Sequence, residues 1–266
     1  MPHHICRTCG TQFTEKPEPP PGCPVCLDER QYVPPEGQRW TTLAELRKSH
    51  KLRWEGQGAF TGIGSAPNFG IGQRALFVET PEGNVLWDCV SLLDEEGVRR
   101  IRERGGLAAI AISHPHYYTT MVEWSEAFGD APIYLHADDA RWIMRPDQRI
   151  VAWKGERQTL LPGLTLVRCG GHFEGGTVLH VEGGDGPGAL LTGDVIQVVA
   201  DRKHMSFMYS FPNYVPLNAK AVRRIAAAVE PFDFDAIYGA WWEYMILKDA
   251  KAALAASVER YLKAIG

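Results

Sequence analysis

Apolar residues follow two different patterns along this chain, and together these patterns predict a mixture of strands and helices. Short apolar runs bounded by turn-forming residues are typical of strands, and longer segments with apolar residues three and four apart are typical of helices. Such a mixture indicates an α/β protein built from layers. The predicted strands are 59–63, 74–79, 84–88, 107–112, 133–136, 164–167, 177–181, 189–192 and 236–238, and the predicted helices are 91–104, 121–128, 138–144, 219–229 and 250–265.

Four cysteines near the start of the chain predict a separate metal-binding module. They form two C-x-x-C pairs separated by 13 residues, and each pair lies in a Gly/Pro-marked knuckle. Two such pairs match a tetrahedral site for one ion, and so short a segment needs a metal to fold. A zinc-ribbon or rubredoxin-like module over 1–36 is therefore predicted, with structural zinc favoured, iron possible and two disulfides as the alternative. Its ligands are Cys6, Cys9, Cys23 and Cys26.

The rest of the chain divides into a linker and one large domain. Residues 37–58 are predicted to be a linker with a short helix, because Thr42-x-x-Glu45 has the pattern of a capping box. The large domain is predicted to span 59–266, which is an ordinary length for one domain.

The composition of the chain indicates which classes of binding partner are not expected. The chain has 266 residues, 45% of them hydrophobic, and 28 basic against 32 acidic side chains give a net charge of −4. That balance gives no reason to expect nucleic acid or an anionic membrane as a partner. No apolar run approaches the roughly 18 residues that a membrane span needs, and no secretion signal is evident, so a cytoplasmic protein is expected.

Three histidines and one aspartate, each placed after a strand-like run, are candidates for a second metal site. His114 and His116 follow the run 107–112, His172 stands in a Gly-rich loop after 164–167, and Asp194 follows 189–192. Imidazole and carboxylate are common ligands of zinc and of iron. These four side chains are therefore candidate ligands for zinc or iron.

In their order and strand placement these motifs resemble the metallo-β-lactamase superfamily, including its glyoxalase II-like metallo-hydrolases. Members of this superfamily carry H-x-H-x-D-H, then G-H, then G-D, then a final His; the resemblance covers about residues 59–245. It implies an αββα sandwich with the metal site at one edge between the sheets. It also implies that the ligands of a second ion are largely missing, because Tyr118, Thr119 and Trp241 stand where Asp, His and the last His are expected. A mononuclear site is therefore predicted.

The predicted activity is hydrolysis by one metal-bound hydroxide. The substrate would be a small ester, thioester, lactone or amide. Asp194 would complete the coordination or accept a hydrogen bond from the water, and Tyr118 would donate to the developing oxyanion. An aromatic-rich segment after Asp194 favours a substrate with an apolar or aromatic portion. In the alternative interpretation, these side chains pack at the edge of the sandwich or face the module. The candidate pocket residues are Phe207, Tyr209, Phe211, Tyr214 and Trp241.

Two other functions fit the same residues. Two histidines and one carboxylate can also form the face of a non-haem iron oxidoreductase, similar to the sulfur dioxygenases of this superfamily. Alternatively, the protein is a non-catalytic metal-binding or scaffold protein. Assembly into a homo-oligomer is possible with any of the three functions.

Overall fold

Most strands of the computed structural model, which describes all 266 residues, form two large sheets. The first sheet has seven strands; its first four are antiparallel to one another and the later ones are joined in parallel. In spatial order, which is also chain order, these are Lys51–Gln57, Phe60–Ala66, Ala75–Val78, Val85–Trp87, Ala109–Ala111, Ile133–His136 and Ile150–Trp153.

The second sheet has six strands and one parallel pairing, between Gly188–Gly193 and Phe234–Gly239. Its other neighbours are antiparallel. In spatial order its strands are Arg157–Leu161, Leu164–Arg168, Thr177–Val181, Gly188–Gly193, Phe234–Gly239 and Met245–Ile246. Three two-stranded ladders complete the β structure: Ile5–Cys6 with Trp40–Thr41, Gln197–Val198 with Met205–Ser206, and Met208–Ser210 with Val215–Pro216.

Helices cover the outer face of each sheet, and the predicted αββα metallo-β-lactamase sandwich is confirmed. Glu95–Glu103 and Met121–Ala127 pack on the first sheet, and Ala219–Val229 and Ala250–Ile265 pack on the second. No helix is both long and apolar enough to cross a membrane. The remaining helical segments are Pro24–Leu27 and Leu43–Ser49 and the 3₁₀ turns Pro115–Tyr117 and Ala137–Trp142.

The layer between the sheets is apolar because alternate residues of both sheets point into it. Trp87 of the first sheet and Leu179 of the second are both fully buried there. The members of this layer are Leu76, Val78, Val85, Trp87, Ala109, Ala111, Trp153, Leu160, Leu164, Leu166, Leu179, Ala189, Leu191 and Tyr238. This packing fixes the sheets to each other and so fixes the strand ends that carry the site.

The boundaries of the N-terminal module differ from those predicted. Strand Ile5–Cys6 pairs with Trp40–Thr41, so the module extends beyond residue 36. Strand Lys51–Gln57 pairs along its whole length with Phe60–Ala66, so the first strand of the large domain lies inside the predicted linker. The short helix of the linker is present, and its Thr42 Oγ1 accepts a hydrogen bond from the Glu45 backbone N–H at 3.3 Å.

Candidate metal centre

All four candidate ligands lie at one edge of the sandwich, because each follows a strand that ends there. His114 comes three residues after strand Ala109–Ala111, and Asp194 directly follows Gly188–Gly193. The backbone N–H of Thr177 donates to the carbonyl of Ser113 at 2.9 Å and so ties the two sheets together at this edge. His172 stands in the loop that leads into the strand of Thr177.

The donor atoms of these side chains converge on one point. The four atoms, one from each of His114, His116, His172 and Asp194, all lie within 4.8 Å of one another. His114 Nε2 is 3.4 Å from Asp194 Oδ2, and His116 Nδ1 is 3.4 Å from His172 Nε2. Metal–ligand bonds of about 2.0–2.1 Å in a tetrahedron place neighbouring donor atoms about 3.3–3.4 Å apart. Both distances therefore fit a tetrahedral zinc-type site.

Hydrogen bonds from outside this cluster fix two of the imidazole tautomers. Ser113 Oγ donates to Asp88 Oδ1 at 2.7 Å, so it accepts from His114 Nδ1 at 2.8 Å. His172 Nδ1 donates to the Met208 carbonyl at 3.1 Å. Each ring therefore carries its lone pair on Nε2, which faces the other ligands. Such outer hydrogen bonds orient metal-binding histidines.

Burial makes the empty arrangement costly and the metal-bound one favourable. The four ligand side chains are between 0% and 3% exposed, and His114 Nε2 and Asp194 Oδ1 have no hydrogen-bond partner in the protein. Burial lowers the pKa of His172 to about 4 and that of His116 well below its usual value. Both rings are thus neutral near pH 7, which is the form that binds a metal. The donor set fits one divalent cation.

An aromatic ring and an arginine that the sequence analysis missed cover the histidines. The Phe173 ring lies 5.0–5.6 Å, between centroids, from all three imidazoles. The Arg30 guanidinium, which comes from the module, lies 4.0 Å from the centre of that ring and is 3% exposed. Phe173 directly follows His172, which was the only sequence signal for it. Arg30 gave no signal, because it is distant in the chain.

Neither the Tyr118 side chain nor the Thr119 side chain is hydrogen-bonded to a candidate metal ligand. Tyr118 is 3% exposed, packs in the core beneath the first sheet and makes no side-chain hydrogen bond within the protein, and burial raises the pKa of its hydroxyl. Thr119 faces Gly10 of the module. The neighbouring Tyr117 is the tyrosine beside the site, with its ring 5.3 Å from His114. The oxyanion role of Tyr118 stays a prediction.

The five predicted pocket residues are not gathered around one cleft. Phe207 is fully buried, with its ring against Tyr261, and cannot line a surface. Tyr214 is 85% exposed at the tip of its loop. Of the remaining three, Phe211 is half-buried with its ring 5.7 Å from that of His172, Tyr209 lies under Arg30, and Trp241 packs against the core of the first sheet.

The four module cysteines form a second converging group. Their sulfur atoms lie within 4.8 Å of one another, with Cys6 and Cys26 at 3.5 Å and Cys9 and Cys23 at 3.6 Å. These separations are too long for disulfides, and all four thiols are free. Zn–S bonds of about 2.3 Å in a tetrahedron separate sulfurs by about 3.8 Å, so the group fits one ion. Gln38 Nε2 donates to Cys6 Sγ at 3.0 Å.

A buried carboxyl next to this edge gives a testable pH dependence. Burial raises the pKa of Asp139 to about 6, although the Gly175 N–H donates to it at 2.8 Å. The folded state therefore keeps a proton that the unfolded state releases near pH 4, and stability falls as pH rises from about 4 to about 6. We expect Asp139→Asn, which stays neutral, to gain about 2–3 kcal/mol over the wild type at pH 7 and almost nothing at pH 4.

Urea unfolding across this pH range measures the difference. The exposed Asp185→Asn is the matched control for the loss of one charge. A gain that is equal at pH 4 and pH 7 would contradict the burial of an ionisable Asp139.

The fold and its converging ligands define a protein of the metallo-β-lactamase fold. One similar solved structure is the DIM-1 metallo-β-lactamase, with a TM-score of 0.57 and 13% identity over 81% of this chain and 98% of that one. Another is VMB-1, with a TM-score of 0.59 and 12% identity over 81% of this chain and 99% of that one. FIM-1 from Pseudomonas aeruginosa, in its mono-zinc form, has a TM-score of 0.57 and 14% identity over 79% and 95%. No family model matches the sequence.

The chain belongs to the same family as YmaE of Bacillus subtilis (strain 168), an uncharacterised protein. The two are 47% identical over 269 aligned positions, which cover 100% of this chain and 97% of YmaE. The alignment therefore includes both the four-cysteine module and the sandwich.

Proposed function

We propose that this protein is a metal-dependent hydrolase with a single active-site cation. The observation that carries the proposal is the convergence of four donor atoms within 4.8 Å, one from each of His114, His116, His172 and Asp194. Zinc, when bound, polarises a carbonyl group and lowers the pKa of water. The mono-zinc form of FIM-1 supports one zinc ion in this fold.

The protein's own residues supply orientation and proton transfer. The hydrogen bonds from Ser113 and the Met208 carbonyl hold two imidazoles in the tautomer that presents Nε2. Asp194 Oδ1 is buried and unpaired, so it is available to accept a proton from water. Phe211, half-buried beside His172, supports a substrate with an apolar or aromatic portion, and we propose an ester, thioester, lactone or amide of that kind.

Asp194→Asn tests this role. The amide keeps the size of the side chain but cannot accept a proton, and we expect turnover to fall by about 10²–10⁴-fold. The measurement is hydrolysis of aromatic esters, thioesters, lactones and amides by protein of measured metal content. Asp201→Asn, at an exposed position, is the control for charge. Wild-type turnover by an Asp194→Asn variant that still holds its metal would contradict the role.

A purely structural metal centre is the second candidate, and the burial of the ligands favours it. Closed sites with four protein ligands are typical of structural zinc, whereas catalytic zinc keeps an open position. Metal-loaded protein that is inert towards all four substrate classes, but loses stability when the metal is removed, would establish this function. Iron in the histidine site together with oxidation of a sulfur substrate would instead establish the non-haem iron oxidoreductase.

A further inference from the structure

The side chain of Gln73 lies between the two metal sites and is bonded to both. Its Nε2 donates to the Cys9 carbonyl at 2.6 Å and to the His116 carbonyl at 3.1 Å. An amide NH₂ group carries two hydrogens, so both bonds form at once. Gln73 is 5% exposed, and water therefore does not replace either bond readily.

Arg30 makes a second link between the sites. It follows the last cysteine of the module, Cys26, by four positions, and its guanidinium donates to the His172 carbonyl at 3.3 Å. Two hydrogen bonds to Asp28, at 2.6 and 3.0 Å, hold the guanidinium in place over the Phe173 ring. The backbone carbonyl of His116 is thus bonded to Gln73, which also bonds the module. The backbone carbonyl of His172 is bonded to Arg30, which belongs to the module.

The module keeps its shape only when its cysteines hold a metal, because so small a unit folds together with metal binding. Loss of that metal would release Cys9 and Arg30 from their contacts. The carbonyls of His116 and His172 would then lose buried donors, and Phe173 would lose its cover. Conversely, an ordered histidine site offers the module a fixed surface on which to fold.

We propose that Gln73 and Arg30 are positioning residues that make metal binding at the four-cysteine site and at the histidine site cooperative. Such coupling is reciprocal, so each ion strengthens the binding of the other by the same factor. We expect a factor of about 5–150, the range that is typical of coupled sites. This inference goes beyond the proposed function, because it concerns metal binding whether or not the protein is a hydrolase.

The test measures the zinc affinity of the four-cysteine site in the full-length chain, by competition with a chelator of known affinity. The double variant His114→Ala, Asp194→Ala leaves only two donors, so it empties the histidine site but leaves both linked carbonyls in place. We expect it to weaken zinc binding at the four-cysteine site by about 5–150-fold. In a Gln73→Met background, in which only the Arg30 link remains, the same comparison should give a smaller weakening than in the wild type.

Gln12→Met is the matched control. Gln12 is another buried glutamine at the module interface, and its side chain is hydrogen-bonded to Glu123 and Arg145 rather than to a metal ligand. It should keep the wild-type ratio. A ratio near one in the wild type, or equal ratios in the Gln73→Met and Gln12→Met backgrounds, would overturn the proposal.

A second measurement avoids any change to the ligands. When excess chelator removes zinc from the wild type, we expect both ions to leave in one phase; from Gln73→Met they should leave in two. Arg30→Lys keeps the positive charge but loses the planar guanidinium group. Its two release phases should be separated less than those of Gln73→Met but more than those of the wild type. Two independent phases in the wild type would overturn the proposal. The readout is metal release alone, so its outcome is separate from that of the search for hydrolysis.

Discussion

Replacing His172 with alanine is expected to remove one of two bound metal ions and to abolish hydrolysis. The variant loses an imidazole whose Nε2 lies 3.4 Å from His116 Nδ1, and the three donors that remain hold a cation more weakly than four, so a chelator that spares the wild type removes it. We expect metal content to fall from two ions per chain to one, and turnover to fall to that of the uncatalysed reaction. Elemental analysis and the hydrolysis assay on the same preparation measure both effects.

His180→Ala is the matched control for this change. His180 is also buried, at 5% exposure, but its ring is bonded to the Asp233 carbonyl and lies outside the ligand group. The control should keep both ions. A His172→Ala protein that withstands the chelator as well as the control does would show that His172 is not a ligand.

Replacing Cys23 with serine is expected to unfold the N-terminal module. Structural zinc contributes about 10–16 kcal/mol of apparent binding free energy in small zinc-folded peptides, and most of this is folding free energy. All four cysteines are buried in the same apolar cluster as the outer face of the first sheet, so the damage should reach the sandwich. We expect the loss of one metal ion and a fall in Tm of about 10 °C or more. Limited proteolysis should cut within residues 1–41.

Cys89→Ala separates this effect from the mere loss of a buried thiol. Cys89 is fully buried in the same cluster but is not a member of the four-cysteine group. It should keep both ions and its resistance to protease. If Cys23→Ser shows the same mild effect as Cys89→Ala, the module does not depend on a metal for its structure.

The inner strands could be predicted from the sequence, and the edge strands could not. All nine predicted strands are inner strands of the two sheets. The four edge strands are Lys51–Gln57, Ile150–Trp153, Arg157–Leu161 and Met245–Ile246, and none was predicted. An inner strand of this sandwich is covered by its neighbours, so its sequence is a run of apolar residues that can be recognised. An edge strand tolerates exposed polar side chains, so its sequence lacks that pattern. The polarity of Lys51–Gln57 is why the predicted linker extended too far.

The candidate ligands were predictable because motif and strand position together place them at one edge. The hydrogen bonds and packing contacts that hold these side chains in place were not predictable. Ser113 adjoins His114 in the chain, but its partner Asp88 lies 25 residues away. Arg30 and the His172 carbonyl are 142 residues apart. The spacing of residues in a sequence does not predict a contact between positions so far apart, since the contact forms only after the module has docked.

The sequence by itself predicted the chemistry of this protein: two groups of four candidate metal ligands, their division between a short cysteine module and an αββα sandwich, and one cation rather than two in the histidine site. Only the tertiary structure decided that Gln73 and Arg30 connect the two groups, that Phe173 covers the histidines and that Phe207 lies in the core. The physical reason is that the donor atoms of a side chain are set by its own covalent structure, whereas burial and contact depend on every other segment that packs around it.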